Sequence, residues 1–308
     1  MSHIKKWLSQ NLPTPIHQIQ ELQFEDKGVQ LFLKRDDLIH PEISGNKWRK
    51  LKYNLIAAQQ QQHDTILTFG GAYSNHIAAT AAACRLAGMK SIGIIRGEEL
   101  SKKENRTLRK AADDGMRLKF ISRENYRRKT EAAFLETLGK QFQKFFLIPE
   151  GGSNELGIKG CAEIMNEVQE QFDFICVACG TGTTMAGILS ATHHKQNVIG
   201  FPAFKSGEDL EKVLQQLLNT DNNTADSCEL MSDYHFGGYA RHTPELLQFI
   251  RSFKAKHQIE LDFIYTGKML FGVYDLIQKD FFPSGSKILA IHTGGLQGNQ
   301  SIWELFDY

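Results

Sequence analysis

The 308-residue sequence lacks an excess of charge of one sign, because 36 Lys and Arg residues stand against 35 Asp and Glu residues. A formal charge this close to zero excludes a polybasic surface for nucleic acid or an anionic membrane. A long hydrophobic run is missing as well, since the longest one, over 77–84, is far shorter than the ~20 residues that span a bilayer. We therefore expect no nucleic-acid partner and no membrane insertion.

Cysteine and proline are scarce, at five and seven residues, whereas glycine is frequent at 26. Five scattered cysteines are too few for a disulfide scaffold. Cys176 and Cys179 have zinc or redox spacing, but their apolar run predicts a buried strand instead. His193-His194 has no partner ligands at zinc spacing, so we expect no metal. The N-terminus shows no signal-peptide core, which favours a cytoplasmic protein.

Short apolar runs alternate with longer helical patterns along the chain. The runs predicted to form strands are 31–34, 65–69, 92–95, 118–121, 146–149, 174–178, 198–201 and 288–292. Helices are predicted between them, including one continuous helix over 125–143. This alternation predicts an α/β fold with parallel, twisted sheets that are covered on both faces. Ligands of such sheets bind beyond the carboxyl ends of the strands, at the junctions that open the helices.

The first such junction is a turn at Gly45-Asn46, which places Lys47 at the start of a predicted helix. The positive end of a helix dipole disfavours an ammonium group, and a neutral amine is what imine chemistry requires. The alternative is an ordinary helix start followed by a basic solvated face, on which Lys50 and Lys52 are expected to lie.

The second junction is a Gly-Gly turn followed by Ser74-Asn75-His76, directly before an alanine-rich helix. Serine or asparagine at this place is typical of an N-cap. Backbone N–H groups, a hydroxyl and an amide at a helix start also suit an anion, and a substrate carboxylate would fit. Both interpretations remain open at this point.

The third junction follows the predicted strand 174–178 and reads Gly180-Thr181-Gly182-Thr183-Thr184. Glycines allow close backbone approach, and threonine hydroxyls add donors at a helix N-terminus, which favours a phosphate site over a plain tight turn. No Gly-Lys-Ser/Thr follows, so the loop is not a Walker A motif, and Met185 replaces the last glycine of a dinucleotide motif.

Two C-terminal segments carry a further tyrosine and a further Gly-Gly turn. Tyr265-Thr266 precedes a glycine, and Thr293 follows a predicted strand at its carboxyl end. Tyr265 is either a core aromatic with a satisfied hydroxyl or a catalytic acid/base. A lysine for an imine, a phosphate site, a carboxylate site and a tyrosine are together the components of pyridoxal phosphate chemistry on an amino acid.

Motifs spread over nearly the whole chain carry a specific family resemblance. They are Lys34-Arg35-Asp36-Asp37, Gly45-Asn46-Lys47, Ser74-Asn75-His76, Glu150-Gly151-Gly152-Ser153-Asn154, Gly180-Thr181-Gly182-Thr183-Thr184, Tyr265-Thr266-Gly267-Lys268 and His292-Thr293-Gly294-Gly295. With them the sequence resembles the 1-aminocyclopropane-1-carboxylate (ACC) deaminase/D-cysteine desulfhydrase family of pyridoxal phosphate-dependent enzymes.

The resemblance implies a tryptophan synthase β-subunit-like fold (fold type II), with two domains built on open, twisted, mostly parallel sheets. A large cofactor-binding domain would consist of 1–49 and 157–308, and a small inserted domain of 50–156. The family also implies a homodimer and a small amino-acid substrate.

The resemblance further implies roles for individual residues toward the cofactor, pyridoxal 5′-phosphate. Lys47 would hold it covalently, and Asn75 would donate to its phenolic oxygen. The loop Gly180-Thr181-Gly182-Thr183-Thr184 would bind its phosphate, and Thr293 would face its pyridine nitrogen. A neutral hydroxyl there would leave that nitrogen unprotonated, which suits eliminations with a good leaving group.

The same resemblance implies that Lys47, Tyr265 and Ser74 are catalytic. Ser74, together with the turn it opens, would take the substrate carboxylate, and Tyr265 would lie near the reacting carbon. The implied substrate-binding residues are Ser74, Asn75, His76, Tyr239, Tyr265 and Thr266.

Two positions separate the branches of the family. The deaminase branch carries Glu and Leu where this sequence has Thr266 and Thr293, and both threonines match the D-cysteine desulfhydrase branch. The sequence therefore predicts β-elimination on a D-amino acid, with D-cysteine giving pyruvate, hydrogen sulfide and ammonia. The alternatives are ACC deamination to 2-oxobutyrate and ammonia, and a non-catalytic pyridoxal phosphate-binding protein.

Overall fold

A computed structural model describes residues 11–101, 105–192, 196–205, 207–218 and 228–302, so His193-His194 lies outside the described residues. The strands are β1 (Ile16–Ile19), β2 (Gln30–Lys34), β3 (Thr65–Gly71), β4 (Lys90–Arg96), β5 (Met116–Ile121), β6 (Phe146–Ile148), β7 (Phe174–Cys179), β8 (Asn197–Pro202), β9 (Cys228–Leu230) and β10 (Lys287–Ile291). The α-helices are α1 (Leu22–Asp26), α2 (Asn46–Gln60), α3 (Asn75–Ala87), α4 (Arg106–Asp113), α5 (Arg123–Arg127), α6 (Ala132–Phe142), α7 (Glu155–Asn166), α8 (Thr183–Ala191), α9 (Gly207–Leu218), α10 (Pro244–His257) and α11 (Thr266–Gln278).

The strands form two sheets that are almost entirely parallel. The larger sheet has the order β1-β2-β10-β7-β8-β9, and β1 is its antiparallel strand. The smaller sheet has the order β5-β4-β3-β6 and is parallel throughout. Its strands fall between β2 and β7 in sequence, so the smaller sheet is inserted into the larger one. The predicted α/β fold with mostly parallel sheets is confirmed.

Both faces of the larger sheet are covered, as its apolar strands require. On one face Met269 and Val273 of α11 pack against the sheet, and on the other face Met185 and Ile188 of α8 do so; all four are fully buried. Each such side chain contributes about 1.5–3 kcal/mol relative to an exposed one. β7 is buried from Ile175 to its end, which explains its uninterrupted apolar sequence.

The eight predicted strands all appear, but three details differ from the prediction. β1 and β9 were not predicted, because short edge strands carry little apolar pattern: in β1 only Ile19 is buried, and β9 has no buried residue. The predicted helix over 125–143 is instead α5 and α6, because the chain turns at 128–131 between them.

The carboxyl ends of β3, β4, β7 and β10 all open on one cavity between the two sheets. The loops that follow these strands therefore determine what the cavity can bind. In the part of the chain that the structure describes, every helix is too short or too polar to cross a bilayer.

Candidate active site

A cavity of about 850 Å³ collects most of the predicted site residues. The eleven that line it are Lys47, Ser74, Asn75, His76, Gly180, Thr181, Gly182, Thr184, Tyr239, Tyr265 and Thr293. Two other predicted residues, Thr183 and Thr266, are fully buried and are not part of its lining. Residues from both sheets and from distant parts of the sequence thus meet at one place.

Lys47 lies in the first turn of α2, with its amine in the cavity wall. Its Nζ donates to Asn46 Oδ1 at 2.9 Å, and Asn46 Nδ2 donates to Thr184 Oγ1 at 2.9 Å. Burial, followed by the positive charge of Lys50, lowers the pKa of Lys47 to about 7. A substantial fraction of the amine is therefore neutral at physiological pH, and it is oriented by a chain of hydrogen bonds that reaches the loop 180–184.

Lys50 corrects the expectation of a solvated basic face, because it is only 3% exposed and lines the cavity. Burial lowers its pKa as well. Lys52 is not solvated either, because only 18% of its side chain is exposed and it pairs with Glu163 at 2.6 Å. Lys50 occupies the position one turn after Lys47, so both side chains lie on the same face of the helix. The cavity therefore contains two lysines.

The two lysines predict a specific pH dependence. In the cofactor-free protein, acetylation of Lys47 by a limiting amount of anhydride, followed by mass spectrometry, should show a titration near pH 7, whereas a solvated lysine titrates near ~10.4. The variant Lys50→Met removes a neighbouring positive charge and should shift the Lys47 titration to higher pH. A Lys47 that titrates like the exposed lysines of the same digest would contradict the assignment.

Ser74 is the N-cap of α3, and its Oγ accepts from the backbone N–H groups of His76 and Ile77 at 3.2 and 3.4 Å. These bonds use the lone pairs of the oxygen, so the hydroxyl hydrogen remains available to an anion in the cavity. The N-cap and the anion-site interpretations are therefore compatible. Asn75 Nδ2 donates to the Gly295 carbonyl at 3.4 Å, and Asn75 Oδ1 is buried without a hydrogen-bond partner in the described chain.

His76 is buried beneath the same turn. Thr68 Oγ1 donates its hydrogen to the Ile148 carbonyl at 2.8 Å. In the 2.8 Å bond between Thr68 Oγ1 and His76 Nε2, the imidazole must therefore be the donor. Burial, then the charges of Lys47 and Lys50, lowers the pKa of His76 well below its usual value. The neutral ring thus has no second N–H group for a substrate carboxylate, which leaves His76 as a support for the turn.

The loop 180–184 presents its glycines and two of its threonines to the cavity. Gly182 has a φ of +76°, a left-handed conformation that favours glycine, and it leads directly into α8. Thr183 points away from the cavity: its hydroxyl donates to Ser153 Oγ at 2.9 Å and lies 3.0 Å from Thr181 Oγ1. The Thr183 side chain therefore braces the loop, while Gly182 and Thr184 at the start of α8 line the cavity.

Thr293 is held next to the Lys47 turn by a close backbone contact. Its carbonyl accepts from Asn46 N at 3.2 Å. A Cβ on Gly45, which has a φ of +62°, would lie 1.9 Å from that carbonyl oxygen, so only glycine fits there. The contact holds Thr293 against the Gly45-Asn46 turn that carries Lys47.

Tyr265 lines the cavity next to Gly180 and packs edge-on against Tyr239, with ring centroids 6.1 Å apart. Burial, then Tyr239, raises the pKa of Tyr265 well above its usual value, so the phenol stays protonated. The backbone of Tyr265 is oriented by the buried Asp262, whose carboxylate accepts from the N–H groups of Tyr265 and Thr266 at 2.7 and 2.9 Å. Thr266 thus belongs to the support of Tyr265 rather than to the cavity wall.

Seven charged residues around the cavity had no predicted role in the site. The six that line it are Asp37, Glu42, Lys50, Arg96, Arg123 and Glu150. Asp262 lies behind Tyr265. Arg96 is the last residue of β4, and Glu150 follows shortly after β6. Both lie at the carboxyl ends of strands, where ligand-binding residues of parallel sheets are expected, so the sequence could have indicated them. Lys50 and Asp262 have no comparable local signal.

Comparisons with known proteins agree with this arrangement. The family model described as "Pyridoxal-phosphate dependent enzyme" matches residues 8–294. The chain is 36% identical to the bifunctional D-cysteine desulfhydrase/1-aminocyclopropane-1-carboxylate deaminase, mitochondrial, of Arabidopsis thaliana, over 94% of this chain and 77% of that protein. It is 33% identical to a putative 1-aminocyclopropane-1-carboxylate deaminase of Pyrococcus horikoshii, over 92% and 90% of the two chains.

A solved structure is similar over its whole length. The crystal structure of an ACC deaminase homologue superposes with a TM-score of 0.78 at 30% identity and covers 99% of this chain and 98% of that one. The expected fold type II and the expected cofactor are thereby confirmed. The chain belongs to the pyridoxal phosphate-dependent enzymes, in the ACC deaminase/D-cysteine desulfhydrase family, and it is a lyase whose cofactor is pyridoxal 5′-phosphate.

Proposed function

We propose that this enzyme catalyses β-elimination on D-amino acids with a leaving group on Cβ, with D-cysteine and water giving pyruvate, hydrogen sulfide and ammonia. The observation that carries the proposal is the pairing of Lys47, whose pKa is about 7, with the protonated phenol of Tyr265 in one cavity. An amine that is neutral near pH 7 is suited to accept a proton from Cα. A phenol with a raised pKa is a poor base and serves as a donor.

The residues around the cavity fit pyridoxal 5′-phosphate. We infer that the loop 180–184, at the N-terminus of α8, holds the phosphate, and that the buried ammonium of Lys50 adds a positive charge beside it. Asn75 Nδ2 uses one N–H on the Gly295 carbonyl, and its second N–H would donate to the phenolic oxygen. Thr293 would face the pyridine nitrogen, and Lys47 would supply the amine for covalent attachment.

When bound, pyridoxal 5′-phosphate withdraws electrons from Cα of an amino-acid substrate. The protein groups then direct the reaction. Ser74 holds the substrate carboxylate through its hydroxyl at the positive end of α3. The Lys47 amine accepts the Cα proton, and the Tyr265 phenol donates a hydrogen bond on the side of the cavity that Tyr239 closes. The bond from Cβ to sulfur breaks, hydrosulfide leaves with the electron pair, and the enamine hydrolyses to pyruvate and ammonia.

Thr266 and Thr293 support elimination over ring opening, because the deaminase branch carries Glu and Leu at these two positions. With no carboxylate to hold its pyridine nitrogen protonated, the cofactor would be a weaker electron sink. Elimination of a thiol needs less electron withdrawal than cleavage of a carbon–carbon bond. The second candidate, ACC deamination, is favoured by the names of the relatives, one of which carries both activities.

The test compares the two reactions on one preparation of holoenzyme. We expect kcat/KM for pyruvate and sulfide release from D-cysteine to exceed kcat/KM for 2-oxobutyrate release from ACC on the order of 100-fold. L-Cysteine serves as the stereochemical control. Faster turnover of ACC than of D-cysteine would replace the proposal by the deaminase, and cofactor binding without turnover of any amino acid would indicate a binding protein.

We also propose a cytoplasmic homodimer and a division into a large domain of 1–49 and 157–308 and a small domain of 50–156. The two separate sheets support the division, although its first border lies within α2. All five cysteines are free, and four of them are buried, which suits a reducing compartment. Light scattering coupled to gel filtration measures the oligomeric state directly.

A further inference from the structure

A second, smaller cavity of about 210 Å³ adjoins the one that holds Lys47. It is lined by Arg96, Arg123, Tyr126, Arg127, Lys129 and Glu150, a set that we call the basic cavity. Three members, Arg96, Arg123 and Glu150, line both cavities, so the two are continuous. A water molecule takes about 30 Å³ of the liquid, so the basic cavity has room for an oxyanion and a few waters.

The charges of the basic cavity favour an anion. Four of its side chains are cationic and one, Glu150, is a carboxylate, which is partly neutralised by Lys129 at 3.3 Å. Arg123 is paired with the exposed Glu99 at 2.7 Å. Within the described residues the structure shows no ion pair for Arg96 or Arg127.

Arg96 connects the basic cavity with the substrate turn. It ends β4, where it pairs in register with Gly71 of β3, three residues before Ser74. Its Nη2 lies 3.5 Å from the position that a Cβ on Gly71 would occupy, and its Cζ lies 5.7 Å over the ring of Tyr126. The guanidinium therefore lies across a glycine at the border between the two cavities, with its donors within reach of both.

A second and independent observation concerns Tyr126. Its side chain is only 3% exposed, and its hydroxyl oxygen is buried without a hydrogen-bond partner in the described part of the chain. Burial, then the neighbouring Glu150 carboxylate, raises the pKa of Tyr126, so the hydroxyl remains a donor. Glu150 is close enough to influence the phenol but makes no hydrogen bond of normal geometry with it, which leaves the buried donor short of an acceptor. An anion in the basic cavity would supply one, and Arg96 would supply a second donor to the same anion.

We propose that the basic cavity is a subsite for an anionic group on the β-substituent of the substrate, a proposal that rests on the elimination proposed above. The substrate class is then D-amino acids whose leaving group carries a carboxylate, sulfate or phosphate. Arg96 acts as a specificity-determining residue, and Tyr126 adds one hydrogen bond to the anion. With D-serine O-sulfate, the bond from Cβ to oxygen breaks, sulfate leaves with the electron pair, and the Cα proton passes to the Lys47 amine.

The test pairs D-serine O-sulfate with β-chloro-D-alanine, whose leaving group has no anionic substituent before it departs. Arg96→Gln should lower kcat/KM for D-serine O-sulfate roughly 10- to 100-fold and change that for β-chloro-D-alanine less than about 3-fold, because only the former loses a charge-assisted hydrogen bond. Tyr126→Phe should give a smaller loss in the same direction. Arg128→Gln is the matched control, because Arg128 pairs with Glu131 at the surface and does not line the basic cavity.

The outcomes separate a failure of the proposed subsite from a failure of the proposed elimination. If the wild-type holoenzyme turns over β-chloro-D-alanine but Arg96→Gln lowers kcat/KM equally for both substrates, the subsite is wrong and the elimination stands. If neither substrate is turned over, the elimination is wrong, and calorimetric binding of D-serine O-sulfate to wild type and to Arg96→Gln decides on the subsite alone. Equal binding by the two proteins overturns it. Thermal unfolding of both variants verifies that they fold.

Discussion

Replacing Lys47 with alanine is expected to lower kcat on D-cysteine by about 10³- to 10⁴-fold, because one amine is proposed to attach the cofactor and to accept the Cα proton. The variant should also lose its visible absorbance on dialysis, since the loop 180–184 and Lys50 would then hold pyridoxal 5′-phosphate by non-covalent contacts alone. Absorbance spectra before and after dialysis, together with pyruvate release, measure both effects.

The fold should tolerate this change. The pKa of Lys47 is lower in the folded protein than in a solvated chain, so burial of its ammonium form opposes folding, fully below about pH 7 and progressively less as the pH rises toward the unfolded value. Compared as cofactor-free proteins, Lys47→Ala should therefore unfold at the same temperature as the wild type or higher. A control is Lys90→Ala, which removes a lysine whose side chain is 78% exposed. Full activity in Lys47→Ala would contradict the assignment of both roles.

A small amine offers a sharper test of the proton transfer. Ethylamine added to Lys47→Ala, reconstituted with pyridoxal 5′-phosphate, should restore part of the activity in proportion to the concentration of its neutral form. The restored rate should then rise with pH up to the pKa of the added amine rather than levelling near 7. Rescue that ignores the protonation state of the amine would argue against a proton-transfer role at this position.

The sequence predicted which residues meet in the cavity where those residues lie at strand ends. Carboxyl ends of parallel strands share an edge, so Ser74, the loop 180–184 and Thr293 could be expected to meet although more than 100 residues separate the first two. Lys47 and Tyr265 were expected beside them because the resemblance places them there. Strand existence was equally predictable, since β3, β4 and β7 are buried along most of their length and must be apolar on both faces.

What the sequence could not predict depends on contacts between distant segments. The pattern around Lys50 predicts a solvated lysine on a charged helix, but the residue is buried, and Gly152 from a distant segment packs against its side chain. The orientation of Thr183 follows from a hydrogen bond to Ser153, thirty residues away. The basic cavity joins the end of β4, the segment 123–129 and Glu150, which no local pattern connects.

Behind the helix of Lys47 lies a buried charge network that should contribute strongly to stability. Asp36 and Arg49 are fully buried, and the Asp36 carboxylate accepts from Nε and Nη2 of Arg49, both at 2.9 Å. Arg49 and Lys34 also donate to Glu167, at 2.6 and 2.8 Å. Burial alone would lower the pKa of Arg49, but the Asp36 and Glu167 carboxylates hold it above its usual value. Two cations thus face two carboxylates with little solvent between them.

Asp36→Ala is expected to lower the free energy of unfolding by about 3–5 kcal/mol, because it leaves Lys34 and Arg49 with one shared carboxylate in a buried site. Chemical denaturation at pH 7 measures the change. Asp36→Asn, which keeps two hydrogen-bonding groups of the same size, should lower the free energy of unfolding by less than Asp36→Ala does. Glu131→Ala breaks the exposed pair with Arg128 and should cost at most about 1 kcal/mol.

The pH dependence of the same measurement identifies the charges as the cause. Burial alone would raise the pKa of Glu167, but its bonds to Arg49 and Lys34 lower it. Its stabilising contribution is therefore present above the unfolded value of ~4.3 and is lost as the pH falls through the lower folded value. The free energy of unfolding of the wild type should fall through that range, and Glu167→Gln, which lacks the titrating carboxylate, should lose less over the same interval. Equal losses in the two proteins would indicate that Glu167 does not stabilise the fold through its charge.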